Sequence, residues 1–103
     1  MRNNMEVVSK LAEVESRIQA AERENNEELA EATAANLVRE EAERAAFVNK
    51  ENAIKMAEQN LRRILRLSVS SGCWPRREYS VIARWLRLFK RRGEKFQRLL
   101  SLS

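Results

Sequence analysis

The two glycines and the single proline of this 103-residue chain all lie at or after position 72, so residues 1–71 contain no strong helix breaker. Ala, Glu, Leu, Arg and Asn dominate that stretch, and most of these residues favour helices. Aromatic residues make up only 6% of the chain, so an isolated globular core would be thin. The sequence therefore predicts an all-α fold with extended, coiled-coil-like helix packing.

A heptad series of apolar residues runs through residues 5–24 and consists of Val7, Leu11, Val14, Ile18 and Ala21. This spacing predicts a helix that needs a partner helix. Asn25 and Asn26 follow, where the series would next require an apolar side chain. Asparagine suits turns and caps, so a helical hairpin could turn here. A continuous helix with one polar seam residue is the alternative, and the pattern leaves both open.

Alanine supplies most of the apolar side chains in residues 27–46, and each alanine buries little area. This segment should be stable only when it packs against a neighbour. The heptad series resumes with Phe47, Ile54, Ala57, Leu61 and Ile64, while Lys50 occupies a seam position. We expect the helix to continue to about Leu67, so that residues 1–67 form one helical region.

The first clear break in the pattern lies at residues 68–74, where Gly72 suits a helix end and Pro75 suits the first turn of a new helix. Residues 75–103 then predict a basic amphipathic helix. Its apolar stripe consists of Tyr79, Ile82, Leu86, Phe89, Gly93, Phe96 and Leu100. The turn predicts a hairpin in which this stripe packs against the preceding helix.

Charge divides the chain near residue 60. Residues 1–60 contain eight Lys or Arg and thirteen Glu, a net charge of −5, whereas residues 61–103 contain twelve Lys or Arg and two Glu, a net charge of +10. Such a concentration of positive charge exceeds what solubility requires, although a solvated helix face is the simpler interpretation. The basic end therefore favours an anionic partner.

Missing residue types argue against catalysis. The chain has no His and no Asp, and it has a single Cys, Cys73. These absences remove the histidine-dependent nucleophilic sites, the common metal sites and an internal disulfide. We expect no enzyme activity, no cofactor and no metal. Because no signal peptide pattern or long apolar run occurs, we expect a cytoplasmic protein.

The candidate site is a partner-binding surface on the basic helix and its entrance. Aromatic and Arg side chains anchor many protein interfaces, and charge complementarity raises their association rate. The residues assigned to this surface are Trp74, Pro75, Arg76, Arg77, Arg84, Trp85, Arg87, Phe89, Lys90, Arg91, Arg92 and Phe96. Ordinary core packing is the competing interpretation for the aromatic residues. The basic face could also bind DNA or RNA directly in a helical dimer, and the chain could associate with itself. A membrane surface is disfavoured, because the hairpin can use the apolar stripe.

The peptide bond between Trp74 and Pro75 is the most unusual local feature. A bond before proline adopts the cis form far more often than other peptide bonds, and its isomerisation is slow. A trans bond at the start of a helix is the simpler interpretation. A cis bond would suggest that a prolyl isomerase acts on the chain.

The chain is short and almost all helical, with a split charge, a basic end RLFKRRGEKFQRLL and a single Trp-Pro pair in CWPRREY. In this general character it resembles the small proteins with which temperate phages and plasmids redirect host machinery. The chain is similar in size and style to the P22-type anti-RecBCD accessory proteins. That resemblance implies a phage- or plasmid-encoded, non-catalytic modulator that binds a host DNA-processing enzyme such as a recombination nuclease.

Overall fold

A computed structural model describes residues 3–70, 72, 74 and 78–102, which form four helices with no strand among them. The helices are α1 (Asn3–Glu24), α2 (Glu27–Ala45), α3 (Ala53–Ser70) and α4 (Tyr79–Leu102). The prediction of an all-α fold is confirmed. None of the four described helices has an apolar stretch that could cross a bilayer.

The helical hairpin considered at Asn25 and Asn26 is present. Asn25 has a left-handed backbone with φ of 50°, which asparagine tolerates better than most residues. The Asn26 side chain caps α2, because its Oδ1 atom accepts hydrogen bonds from the backbone N–H groups of Glu28 at 2.9 Å and Leu29 at 3.3 Å. These local interactions end α1 and begin α2, which runs back in the opposite direction.

The expectation that the helix continues unbroken to Leu67 is wrong, because α2 ends at Ala45 and a turn occupies residues 46–52. Asn49 favours this turn, since its side chain accepts a hydrogen bond from the Asn52 N–H at 3.3 Å. Packing supplies a second reason. On one straight helix with 3.6 residues per turn, the buried side chains of α2 and α3 would point in roughly opposite directions. The turn lets both faces join one core.

The core contains residues from all four helices. Val14 and Ile18 of α1 and Ala57 and Leu61 of α3 are completely buried, as predicted by the heptad series. The two largest fully buried side chains come from α4, in which Trp85 and Phe89 form an edge-to-face pair with ring centroids 6.0 Å apart. The fully buried set of large side chains also includes Leu37, Val38 and Leu65.

The predicted hairpin between the last two helices is also present. The α3 helix extends to Ser70, and Gly72 has φ of 80°, a left-handed conformation that suits glycine after a helix. Residues 71, 73 and 75–77 lie outside the described residues, and the described part of the second helix begins at Tyr79. Farther along α4, Gly93 lies against α3, where an added Cβ atom would be 2.7 Å from the Cβ atom of Glu58. Helices α3 and α4 therefore approach closely at this glycine.

Candidate functional site

The aromatic residues predicted to anchor a partner lie in the core. Trp85 and Phe89 have no exposed surface, Trp74 is 4% exposed, and Phe96 is half-buried against the core. The largest side chains of α4 occupy the centre of the bundle, where the other described helices cover them. The structure thus supports core packing for these four residues.

Trp74 connects the α3–α4 turn to two helices. Its indole N–H donates a hydrogen bond to the Ser68 hydroxyl at 2.6 Å, and that hydroxyl donates to the Glu15 carboxylate of α1. This chain satisfies a buried indole N–H that would otherwise be costly. Pro75, Arg76, Arg77 and Cys73 lie outside the described residues, as does the peptide bond between Trp74 and Pro75.

Glu22 is a shared acceptor for α4. The Trp85 indole N–H donates to Glu22 Oε1 at 2.7 Å, and the Arg84 guanidinium donates to the same carboxylate. A second Arg84 nitrogen donates to Glu27 Oε1 at 2.7 Å. Glu22 and Glu27 lie on either side of the Asn25 turn, so Arg84 joins α4 to the ends of both α1 and α2. The positive charge of Arg84 is therefore paired with two carboxylates of the same chain.

Glu31 of α2 pairs with two further predicted site residues. Arg92 Nη2 lies 3.3 Å from Glu31 Oε2, and only 17% of the Arg92 side chain is exposed. Arg91 Nη1 lies 3.7 Å from Glu31 Oε1, but 73% of the Arg91 side chain is exposed. Arg92 thus belongs mainly to the interface between α2 and α4, whereas Arg91 also contributes to the outer surface.

The outer surface of α4 retains exposed positive charge. Arg87, Lys90 and Arg98 are exposed and fall within an arc of about 80° on the side of the helix away from Trp85. None of the three forms an ion pair within the described part of the chain. Glu94 is the acidic residue of this helix. These three cations are therefore available to solvent.

Helix α3 extends this charge. Lys55 of α3 and Arg98 of α4 line the same open cavity of about 510 Å³, together with Glu58 and Glu94, so the two helices contribute to one surface. Arg66 lies three turns after Lys55 on the same side of α3. We define the cationic face as Lys55, Arg66, Arg87, Lys90 and Arg98.

The charges of the two halves have opposite signs. Helices α1 and α2 contain eleven Glu and five Lys or Arg, a net charge of −6, whereas α3 and α4 contain eleven Lys or Arg and two Glu, a net charge of +9. Ion pairs at Glu22, Glu27 and Glu31 neutralise part of the positive charge of α4 where it packs against α1 and α2. The unpaired positive charge of α3 and α4 produces a positive electrostatic potential on the outer surface of these two helices.

Ion pairs also join α1 to α2. Arg17 Nη1 donates to Glu40 Oε1 at 2.9 Å, and this hydrogen bond holds the pKa of the Glu40 carboxyl below its ordinary value of 4.5. Lys10 Nζ lies 3.4 Å from Glu41 Oε1, and both side chains are nearly buried. Within the described residues no cluster of acidic or Cys side chains has an arrangement suited to a metal ion.

Two important polar residues, Glu22 and Ser68, were not assigned by the sequence interpretation. Ser68 did carry a signal, because it follows Ile64 at the next seam position of the heptad series, where a polar side chain must find a partner. Glu22 carried none, since it is one of many Glu residues on a helix and its partners lie more than 60 residues away.

A search among known proteins finds a plant relative. Sixty-two residues of the chain, 60% of its length, are 74% identical to the uncharacterized protein At3g60930, chloroplastic, of Arabidopsis thaliana. The match covers 8% of that protein, so the chain spans a small part of its relative. No family model and no solved structure matches the chain.

This relative corrects the functional prediction. A phage- or plasmid-encoded modulator of a host enzyme was expected, yet 60% of this chain aligns with a plant protein at 74% identity. The predicted phage origin and the predicted role in redirecting host machinery are therefore wrong. The match does not bear on the geometry of the cationic face.

Proposed function

We propose that this chain is a non-catalytic binding module whose cationic face contacts the phosphate backbone of a nucleic acid. One observation carries the proposal: α4 buries Trp85 and Phe89 and leaves Arg87, Lys90 and Arg98 exposed without ion pairs in the described structure. Electrostatic contacts with phosphates need cations in a row and need no apolar anchor.

The burial of Trp85 and Phe89 supports a nucleic acid over a protein as the partner. Protein interfaces generally have an apolar or aromatic centre, and the cationic face offers none in the described residues. Nucleic-acid binding that does not depend on base sequence obtains its affinity from released counterions. The geometry thus favours phosphates over an acidic protein surface.

The plant relative supplies the setting of the proposal. It is much longer than the matched segment, so we propose that the bundle acts within, or in the manner of, one segment of a longer protein. The name of the relative includes the word chloroplastic, which favours a plastid location over the cytoplasmic one that the sequence suggested. We also propose that the chain has no catalytic activity.

A salt titration with a 20-base-pair DNA duplex and with a single-stranded RNA of similar length tests the proposal. Each neutralised phosphate of B-DNA contributes about 0.9 to the slope of log K against log salt concentration. Five contacts would give a slope of about −4.5 for the DNA duplex, and the Arg87→Gln, Lys90→Gln, Arg98→Gln triple variant should reduce its magnitude by about 2.7.

The matched control replaces three cations of the acidic helices, Arg23→Gln, Arg39→Gln and Arg44→Gln, which changes the net charge by the same amount. This control should leave the slope nearly unchanged if the cationic face makes the contacts. Equal losses in the two triple variants, or no binding at low salt, would refute the proposal. Binding to polyglutamate as tight as binding to DNA would refute it in favour of an acidic protein.

A further inference from the structure

The open cavity between α3 and α4 is polar and adjoins the cationic face. Its volume of about 510 Å³ lies within the range of about 300–1,000 Å³ that is typical of ligand pockets. The lining residues are Asn52, Lys55, Glu58, Gly93, Glu94, Gln97 and Arg98. Because Lys55 and Arg98 also belong to the cationic face, the cavity is part of the surface that we propose for phosphates.

The charges of this lining cancel. Lys55 and Arg98 supply two positive charges, and Glu58 and Glu94 supply two negative charges. A phosphate inside the cavity would be attracted by the two cations and repelled by the two carboxylates. A neutral group that both donates and accepts hydrogen bonds suits this lining better, since it also includes side-chain amides.

Glu94 provides a hydrogen-bond acceptor at this cavity. Its side chain is exposed and forms no ion pair or hydrogen bond within the described part of the chain. Glu58 differs, because its carboxylate lies 3.5 Å from Arg62 Nη1 and only 12% of its side chain is exposed. A ligand that carries an N–H donor can therefore bind Glu94 without breaking an ion pair of the bundle.

We propose that this cavity binds an unpaired base of a single-stranded nucleic acid and favours bases that carry an amino group. The inference rests on the proposed function, because the phosphates of the same strand lie on the cationic face. Proteins recognise unpaired bases through the Watson–Crick edge, which a duplex keeps occupied. A Glu carboxylate accepts a hydrogen bond from the cytosine amino group, and an amide such as that of Asn52 can both donate and accept at a base edge.

The cations beside the cavity are placed to hold the rest of the strand. Lys55 and Arg98 flank the cavity itself, and Lys90 lies about 12 Å from Arg98 along α4 at 1.5 Å per residue. A strand with one base in the cavity can therefore keep its neighbouring phosphates on these cations. Most of the affinity then remains electrostatic, and the base contact adds selectivity.

The test compares the binding of the full chain to oligocytidine and to oligouridine RNA, each about 12 nucleotides long, by fluorescence anisotropy at low salt. The two bases have the same ring size, but cytosine has an amino donor where uracil has a carbonyl acceptor. Oligocytidine should bind about fivefold more tightly, which corresponds to one hydrogen bond to a charged acceptor at an exposed site. Annealing each strand to its complement should abolish the difference, because base pairing uses the same edge.

Glu94→Ala should reduce the ratio of the two affinities to about one, because the carboxylate acceptor is removed. The matched control is Glu28→Ala on α2, which removes an exposed Glu that does not line the cavity and makes the same change in net charge. This control should keep the wild-type ratio. Circular dichroism should show an unchanged fold for both variants, because both side chains are exposed.

NMR titration of ¹⁵N-labelled protein with oligocytidine locates the contact. The side-chain amide of Asn52 and the backbone amide of Gly93 should shift, and shifts confined to Arg87 and Lys90 would overturn the base site. Equal affinity for the two strands with a steep salt dependence would overturn it while the phosphate contacts stand, as would a wild-type ratio in Glu94→Ala. If neither strand binds, both proposals fail.

Discussion

Gly93→Ala is expected to destabilise the protein, although alanine is the better helix former. In an exposed helix the change would stabilise by about 1 kcal/mol. At Gly93 the new Cβ atom would lie 2.7 Å from the Cβ atom and 2.9 Å from the Cγ atom of Glu58. The Glu58 Cβ atom is attached to the α3 backbone, so rotation of the side chain cannot move it away.

The two helices must therefore separate. An increase from 2.7 Å to an ordinary contact of 3.4 Å requires a shift of about 0.7 Å between α3 and α4. Overpacking of this kind costs about 1–3 kcal/mol, and the gain in helix propensity offsets about 1 kcal/mol. The expected net loss is about 1 kcal/mol in the free energy of unfolding, measured by urea denaturation at 25 °C.

A double-mutant cycle with Glu58→Gly isolates the contact. Glu58→Gly removes the opposing Cβ atom, so Gly93→Ala in that background should lose its penalty and stabilise the protein by about 1 kcal/mol. The Glu58–Arg62 ion pair is absent from both proteins that carry Glu58→Gly, so its loss cancels in the comparison between them. If Gly93→Ala stabilised the wild-type protein by the same amount, the close approach of the helices would be refuted.

Three further predictions concern local contacts. The pKa of Glu40 is lowered by its hydrogen bond from Arg17, so the stabilisation from this contact is present above pH 4.5 and is lost as the pH falls through the lowered pKa. In urea titrations at several pH values, the wild type should be more stable than Glu40→Gln at neutral pH, and this difference should shrink on acidification. A difference that stays constant with pH would contradict the prediction. Ser68→Ala removes the acceptor of the buried Trp74 N–H and should cost about 1–3 kcal/mol in chemical denaturation, while an unchanged midpoint would argue against this hydrogen bond. Gly72→Ala places a Cβ atom at φ of 80° with no neighbour within 4 Å, so the expected loss of about 1–2 kcal/mol in the free energy of unfolding comes from the backbone conformation alone. Gly72→Asn should recover part of this stability, because asparagine tolerates a left-handed backbone better. Equal thermal midpoints for the two variants would contradict a conformational cause.

Several parts of the fold were predictable because they depend on neighbouring residues. The heptad spacing identified α1 and the buried positions Val14 and Ile18, and Gly72 marked the hairpin between α3 and α4. The turn at residues 46–52 was missed because the heptad series continues through it. Comparison of the two buried faces would have indicated the turn, since they point in opposite directions on a continuous helix.

The candidate site was less predictable. A basic amphipathic helix has an apolar side and a charged side, but its sequence does not say whether its own bundle covers the aromatic residues. In the structure Trp85 and Phe89 are covered completely, and this moves the proposed contact from the aromatic residues to Arg87, Lys90 and Arg98. Their exposure depends on how α4 is rotated against its neighbours.

By itself, the sequence determined the all-α class, the turn at Gly72 and the opposite charges of the two halves, whereas it left a turn at Asn25 and Asn26 and a continuous helix both open. These properties arise from backbone preferences and from interactions over a few residues, or from simple composition. Only the tertiary structure decided which arginines remain available. Arg84 and Trp85 meet Glu22 and Glu27 across separations of 57 to 63 residues, and contacts between such distant residues form only after the helices have packed.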